Sequence, residues 1–346
     1  MTASSVAHIP KVDLHVHLEG TITPEMVQKL AARNGVSVPQ GLIKNGKFSW
    51  HDDGTAAGNL KAFVQAYDDA TSVMKTAEDY NDITYDYLKR SALEGCIYAE
   101  ITISSDHGEM VGLTYPQMMD AITKGYERAK KETGIEARFI ATCVRHYGPA
   151  AALKSAKVTH DNPHPLVTGF GMAGDENAHA VADFKPAFDA SGLKNRTAHA
   201  GEATGPESVR AAKDFLKTRR FGHMVRAMED PGLVKELLTI NAVPEVCVSS
   251  NMVLKVFNTY AQHPLRRMFD AGLKVTLGSD DPTFFNTSIG REYEIAKEEF
   301  GFTDAELMRI TRNAIEEAFI DEPARKKLLS WLSNPGAAFS PKAIQP

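Results

Sequence analysis

Two histidines separated by a single residue stand in the segment Asp13-Leu14-His15-Val16-His17-Leu18-Glu19-Gly20. In a strand, residues two apart face one side, so His15 and His17 can converge on one metal ion while Leu14, Val16 and Leu18 turn the other way to pack. Two ordinary strand histidines fit the same letters. His199-Ala200-Gly201-Glu202 adds a third imidazole. Past a glycine that allows a sharp turn, it also adds a carboxylate able to sit beside a metal and move a proton. A loop with a solvated glutamate is the plainer alternative. Phe221-Gly222-His223 contributes another histidine, equally readable as a core residue. Leu277-Gly278-Ser279-Asp280-Asp281-Pro282 sets two acids side by side, where like charges repel. One acid suits a metal and the other a substrate hydrogen bond, although Asp-Asp-Pro is also a common surface turn. Three imidazoles and one carboxylate form a nitrogen/oxygen set suited to zinc, with other divalent ions also accommodated.

These residues need elements to hold them. Short apolar, β-branched segments predict strands over Val12–Leu18, Cys96–Thr102, Glu136–Cys143, Leu166–Gly171, Asn195–His199, Phe221–His223, Ala242–Val248 and Lys274–Leu277. Helical pattern separates most of them. Thr23-Pro24-Glu25 opens a helix that Asn34-Gly35 closes; another runs from Thr76 to Gly95 and a third from Tyr115-Pro116 to Thr133-Gly134. Thr303-x-x-Glu306 is a capping box before an apolar-periodic run to Ile320. Alternating strands and helices predict a parallel sheet covered by helices, and eight units favour a closed (β/α)8 barrel of TIM type over an open doubly wound sheet. All four chemical motifs then fall at the C-terminal ends of strands, where such barrels carry their chemistry. Gly41–Leu60, with Asn45-Gly46, Asp53-Gly54 and Gly58-Asn59, reads as a long loop after the first strand, either a cover over a site or an inert insertion.

The 346 residues would divide into roughly two domains by length alone, but barrels exceed that size as one unit, and no linker or repeat marks a boundary. A single barrel domain over residues 8–335 is expected, with additional helices. Apolar residues make up 43% and charged residues 24%, an ordinary globular balance that argues against disorder. A net charge of −5, from 39 basic and 44 acidic residues, disfavours nucleic acid or an anionic membrane as the main partner. Three cysteines against twelve histidines point away from disulfides and from sulfur-ligated metal. Residues 1–10 carry no signal-peptide pattern, and no run of about 18 apolar residues occurs. A cytoplasmic location without membrane attachment is therefore expected.

Taken together, His15-x-His17-x-Glu19-Gly20, Gly174-Asp175-Glu176, His199-Ala200-Gly201-Glu202, His223, Ser249-Ser250-Asn251 and Ser279-Asp280-Asp281-Pro282 resemble the adenosine/adenine deaminases of the amidohydrolase superfamily. The resemblance runs from Lys11 to about Lys327. Gly169 to Gly174 resembles the family's fourth-strand segment, and His263-Pro264-Leu265-Arg266-Arg267 and Phe284-Phe285-Asn286-Thr287-Ser288 are similar to bacterial members usually labelled adenosine deaminase. The resemblance implies one zinc ion per chain held by His15, His17, His199 and Asp280. It implies that Glu202 protonates purine N1, that His223 orients and helps deprotonate the attacking water, and that Asp281 contacts the water and purine N7. It further implies that the Gly174 N–H reaches purine N3, that Glu19 contacts ribose and that His17 borders the substrate. The reaction so implied is hydrolytic deamination of adenosine or 2′-deoxyadenosine to inosine or 2′-deoxyinosine with release of ammonia. The alternative substrates are adenine, giving hypoxanthine, or a modified adenine nucleoside. In every case the partner is a small purine, and oligomeric state is left open.

Three positions depart from the family pattern. Glu19 stands where adenosine deaminases usually carry Asp; adenine deaminases of the family commonly have Glu there, as do some bacterial members labelled adenosine deaminase. Met224 follows His223 where Gly is usual, so that it can crowd the pocket or shift His223. Val248 replaces a usual Pro. Two-metal relatives need a lysine after the fourth strand, where this chain has Gly171-Met172-Ala173-Gly174. The cytidine-type zinc deaminases need paired cysteines, and Cys96, Cys143 and Cys247 lie far apart.

Overall fold

In the computed structural model, which describes residues 5–50 and 55–333, eight parallel strands follow one another around a ring in chain order. They are β1 (Lys11–His17), β2 (Cys96–Ile103), β3 (Glu136–Val144), β4 (Val167–Ala173), β5 (Arg196–Ala200), β6 (Arg220–His223), β7 (Val243–Val246) and β8 (Thr276–Leu277). The ring is joined between β1 and the end of β8 by a bridge from Val16 to Asp280. The Asp280 N–H donates to the His15 carbonyl at 2.8 Å, and the His17 N–H donates to the Asp280 carbonyl at 3.0 Å. With helices around it, the sheet is the nearly closed (β/α)8 barrel expected from the strand count. No helix among the described residues is long and apolar enough to cross a membrane.

Local sequence explains the helix ends. The Thr23 side chain accepts from the Met26 N–H, Pro24 opens the helix Pro24–Asn34, and Gly35 closes it in a left-handed conformation. Reciprocal capping boxes start the helices Ala77–Leu93, Tyr115–Thr133 and Asp304–Glu317. The last of these stops three residues short of Ile320. Ala318 is extended, and the Phe319 N–H turns away to the Glu100 carboxylate.

The expected loop over Gly41–Leu60 is largely structured. Ile43–Lys44 and Lys47–Phe48 pair as a two-stranded antiparallel hairpin, with Asn45 and Gly46 at φ of 53° and 72° as its turn. Residues from Ala56 begin a helix that runs to Thr71, capped by Thr55. Residues 51–54, and with them the Asp53-Gly54 turn signal, lie outside the described residues, as do 1–4 and 334–346. Phe48 stacks on Phe284 with ring centroids 4.2 Å apart. Phe63 on the helix lies 4.9 Å from Phe285, and Trp50 lies 6.1 Å from Phe63. One aromatic cluster thus ties the hairpin and the helix Ala56–Thr71 to the segment after β8.

Inside the barrel, below the strand ends, charged residues replace apolar filling. Arg220 of β6 is fully buried between Glu100 of β2 and Glu245 of β7, donating to each at 2.6 Å, with its guanidinium 3.8 Å over the Phe319 ring. Removing one partner of such a cluster leaves uncompensated buried charge, which costs about 3–5 kcal/mol. Arg220→Met is expected to lower unfolding free energy by about that amount in urea titrations. A loss under about 1 kcal/mol would mean that the two buried carboxylates do not depend on Arg220 for compensation of their charge.

Candidate active site

Four strand ends deliver the motif residues to one place. His15 and His17 come from β1, His199 from β5 and His223 from β6, with Asp280 and Asp281 directly after β8. The His15 ring lies 4.6 Å from His199 and 5.5 Å from His17, and the His17 and His199 rings are 5.2 Å apart. Asp280 Oδ1 lies 3.2 Å from His17 Nε2 and 3.6 Å from His15 Nε2. One donor atom each from His15, His17 and His199 falls within 4.8 Å of the other two.

This set fits a divalent metal ion on several observations. His15 Nδ1 is 2.9 Å from Glu245 Oε2, while His15 Nε2 is buried without a hydrogen-bond partner and faces the other imidazoles. The carboxylate therefore fixes the ring and leaves Nε2 for an ion, an arrangement typical of metal-binding histidines. Burial alone would lower the His15 pKa, but the neighbouring Asp280 and Glu245 carboxylates push it up to about 10. The pocket is thus built for positive charge. His199 is held well below its usual value by burial and by the neighbouring imidazoles, so its ring is neutral. Asp280 stays well below the carboxylate range because the close imidazoles of His15 and His17 outweigh burial. Cys247 also offers a ligand atom within 4.8 Å of those of His15 and Asp280, and burial pushes its thiol pKa well up.

The backbone pays close attention to space here. A Cβ on Gly222 would stand 2.6 Å from His15 Cε1 and 2.9 Å from His199 Cδ2. A Cβ on Gly20 would overlap the Asp281 carboxylate. His223 and Asp280 themselves adopt φ of 61° and 60°, values that side chains other than glycine seldom take. Such local strain concentrates at functional sites.

Beside the imidazoles lie two acids with raised pKa values. Burial, reinforced by the charges of Asp280 and Glu176, holds Glu202 well above the carboxylate range. Burial and the adjacent Asp280 do the same for Asp281. Glu202 Oε1 and Asp281 Oδ1 are buried without partners, and both residues line the cavity over the strand ends. His223 Nε2 is 3.4 Å from Glu202 Oε2 and 3.9 Å from Asp280 Oδ2. Burial lowers the His223 pKa to about 3. Glu176 fixes the turn that carries Glu202: its carboxylate accepts from the Glu202 N–H at 3.0 Å, the Thr204 N–H at 2.8 Å and the Ser208 hydroxyl at 3.1 Å.

His17, Gly174, His199, Glu202, His223, Asp280 and Asp281 all border this cavity, but Glu19 does not. The Glu19 carboxylate lies behind the wall, 3.1 Å from His107 Nδ1 without hydrogen-bond alignment and 3.3 Å from the Tyr67 hydroxyl. Burial would raise Glu19 and lower His107; each outweighs this in the other, so Glu19 is ionised and His107 favours its cation. His107 and Tyr67 present the wall at that point. Met224 is buried in the core and lies outside the cavity lining, so it does not crowd the pocket.

Sequence reasoning did not find Glu245, His107 or Tyr67. Glu245 had a signal, a lone acid in the apolar strand Ala242–Val248. His107 and Tyr67 had none, because they lie on helices away from the strand-end pattern.

The family model described as adenosine deaminase matches residues 10–335. The adenine deaminase of Sinorhizobium medicae is 45% identical over 329 residues, 94% of this chain and 99% of that protein. The adenine deaminase of Agrobacterium fabrum is 43% identical over 331 residues, 95% and 99% of the respective chains. The crystal structure of an adenine deaminase from Arthrobacter aurescens superposes with a TM-score of 0.84 at 27% identity, covering 94% of this chain and 98% of that one. These names fall on the side of adenine, the alternative to adenosine drawn from the sequence.

Proposed function

The chain belongs to the adenosine deaminase family of the amidohydrolase superfamily, and on that premise we propose that it hydrolyses adenine to hypoxanthine and ammonia. The observation that carries adenine over adenosine is the position of Glu19. A sugar on purine N9 needs polar partners, and the acid at this position is the one expected to meet ribose. Here its charge is already engaged by His107 and Tyr67, behind the cavity wall. A ribose would meet those two side chains in place of a free carboxylate. The names carried by the similar proteins support the same choice.

In this reading the protein acts as one barrel domain over residues 8–335, and one zinc ion per chain is held by His15, His17, His199 and Asp280. Zinc bound there supplies Lewis acidity toward water at neutral pH. The remaining work belongs to the protein's own groups. Glu202, protonated through burial, gives its proton to purine N1 and so relieves the negative charge that attack at C6 would drive into the ring. Asp281, also held protonated, is assigned to purine N7, and the Gly174 N–H to N3. His223 orients the attacking water from the side that Glu202 and Asp280 share. His17 borders the purine.

Ammonia release from adenine, adenosine and 2′-deoxyadenosine at equal concentrations tests this. The kcat/KM for adenine is expected to exceed that for adenosine by roughly 10²-fold, the order of discrimination a shaped pocket reaches. Equal or faster turnover of adenosine would return the assignment to the nucleoside.

A further inference from the structure

Two motifs found in the sequence, Ser249-Ser250-Asn251 and His263-Pro264-Leu265, have so far no part in the chemistry. The structure joins them in a chain of hydrogen bonds that ends on His223. The Leu265 N–H donates to His263 Nδ1 at 3.2 Å. His263 Nε2 lies 3.1 Å from Asn251 Oδ1, and Asn251 Nδ2 lies 3.2 Å from His223 Nδ1.

The direction of this chain is settled at its far end. A backbone amide can only donate, so His263 Nδ1 must be the acceptor. Burial lowers the His263 pKa to about 3, and its ring packs against Phe257 and Phe300, so the imidazole is neutral. A neutral imidazole accepting at Nδ1 carries its proton on Nε2. That N–H faces Asn251, whose oxygen must then accept. The Asn251 amide is thereby turned with its NH2 toward His223. His223 Nδ1 accepts in its turn, which places the His223 proton on Nε2. His223 Nε2 is buried with no protein hydrogen-bond partner and lies beside Glu202 and Asp280.

We propose that Asn251 and His263 are positioning residues which, through the fixed polarity of the Leu265 amide, hold His223 in the tautomer that presents an N–H to the reacting centre. His223 then enters the reaction as a hydrogen-bond donor that aims the attacking oxygen. It has no free lone pair on that side. The relay is rigid because each member is enclosed: Asn251, His263 and His223 are 0%, 3% and 1% exposed. The short helix Val248–Val253 that carries Asn251 is pinned at its start by Glu292, which accepts from the Val248 and Ser249 N–H groups at 2.9 and 3.3 Å.

The consequence for turnover rests on the deaminase reading, but the tautomer does not, and nitrogen NMR of the zinc-loaded protein labelled with 15N-histidine reads it directly. His223 Nδ1 is expected to give the signal of an unprotonated ring nitrogen and Nε2 that of an N–H. A protonated Nδ1 in the parent protein overturns the relay, whatever the substrate. Asn251→Asp keeps the shape and the acceptor for His263 but offers His223 only an oxygen. This variant is expected to move a proton onto His223 Nδ1 and to lower kcat by about 10²–10⁴, the range seen when a catalytic imidazole is held wrongly or lost, with less change in KM. Unchanged His223 signals and unchanged kcat in Asn251→Asp would also overturn it. If that variant fails to fold, the parent spectrum decides.

Discussion

Asp280→Ala is expected to give a folded barrel that retains well under one zinc per chain and releases ammonia from adenine at no more than background rate. Asp280 is the ionised acid of the cluster, with Oδ1 3.2 Å from His17 Nε2 and 3.6 Å from His15 Nε2. Without it, the three imidazoles lose the one carboxylate of the assigned ligand set. The fold should survive, because the bonds that join β1 to the end of β8 use the main chain of Asp280 and spare its side chain. Alanine at a φ of 60° adds strain of about 1–2 kcal/mol. Asp280→Asn, which tolerates that conformation better, separates the loss of charge from the strain. Metal content, urea unfolding and ammonia release read the three consequences independently. Full activity in a zinc-free Asp280 variant would remove this site from the reaction.

Glu202→Gln is expected to lower kcat by about 10²–10⁴ while zinc content and KM change little. The amide keeps the size of the side chain but has no proton to transfer to N1. Glu202 is outside the assigned ligand set, so the ion should stay. The pH dependence follows from the raised pKa. Glu202 must be protonated to act, so kcat/KM should hold below its raised value and fall as pH rises through it. The Gln variant should lose that alkaline limb along with its rate. A variant within threefold of the parent rate would exclude Glu202 as the acid.

The strands were legible because they are short, apolar and spaced by helices with strong caps. Thr23-Pro24, Thr76, Tyr115-Pro116 and Thr303 mark helix starts through features of local sequence alone. The meeting of the histidines and acids was legible for a related reason: a period-2 pair and three motifs at strand ends need only a closed parallel sheet to come together. Gly41–Leu60 misled because its turn residues were read as an unbroken loop, when Asn45-Gly46 is the turn of a hairpin and Thr55 is a helix cap. His107 and Tyr67 were invisible because their roles depend on how helices pack over the barrel mouth. That packing is long-range, and no local pattern announces it. Asn251 and His263 were visible as motifs and acquired a role only when the structure brought them to His223.

The aromatic cluster over the barrel mouth has a consequence for how such an enzyme changes. The groups assigned to bond cleavage sit at strand ends, fixed by the sheet. Other groups that line the cavity, such as Phe63 and Tyr67, belong to one segment laid over the mouth and held largely by ring contacts. Substitutions in that segment can therefore alter which molecules enter while the reaction stays the same. An ancestor and its descendants could exchange substrates by editing a few dozen residues after the first strand, and the barrel would inherit each new preference without being rebuilt.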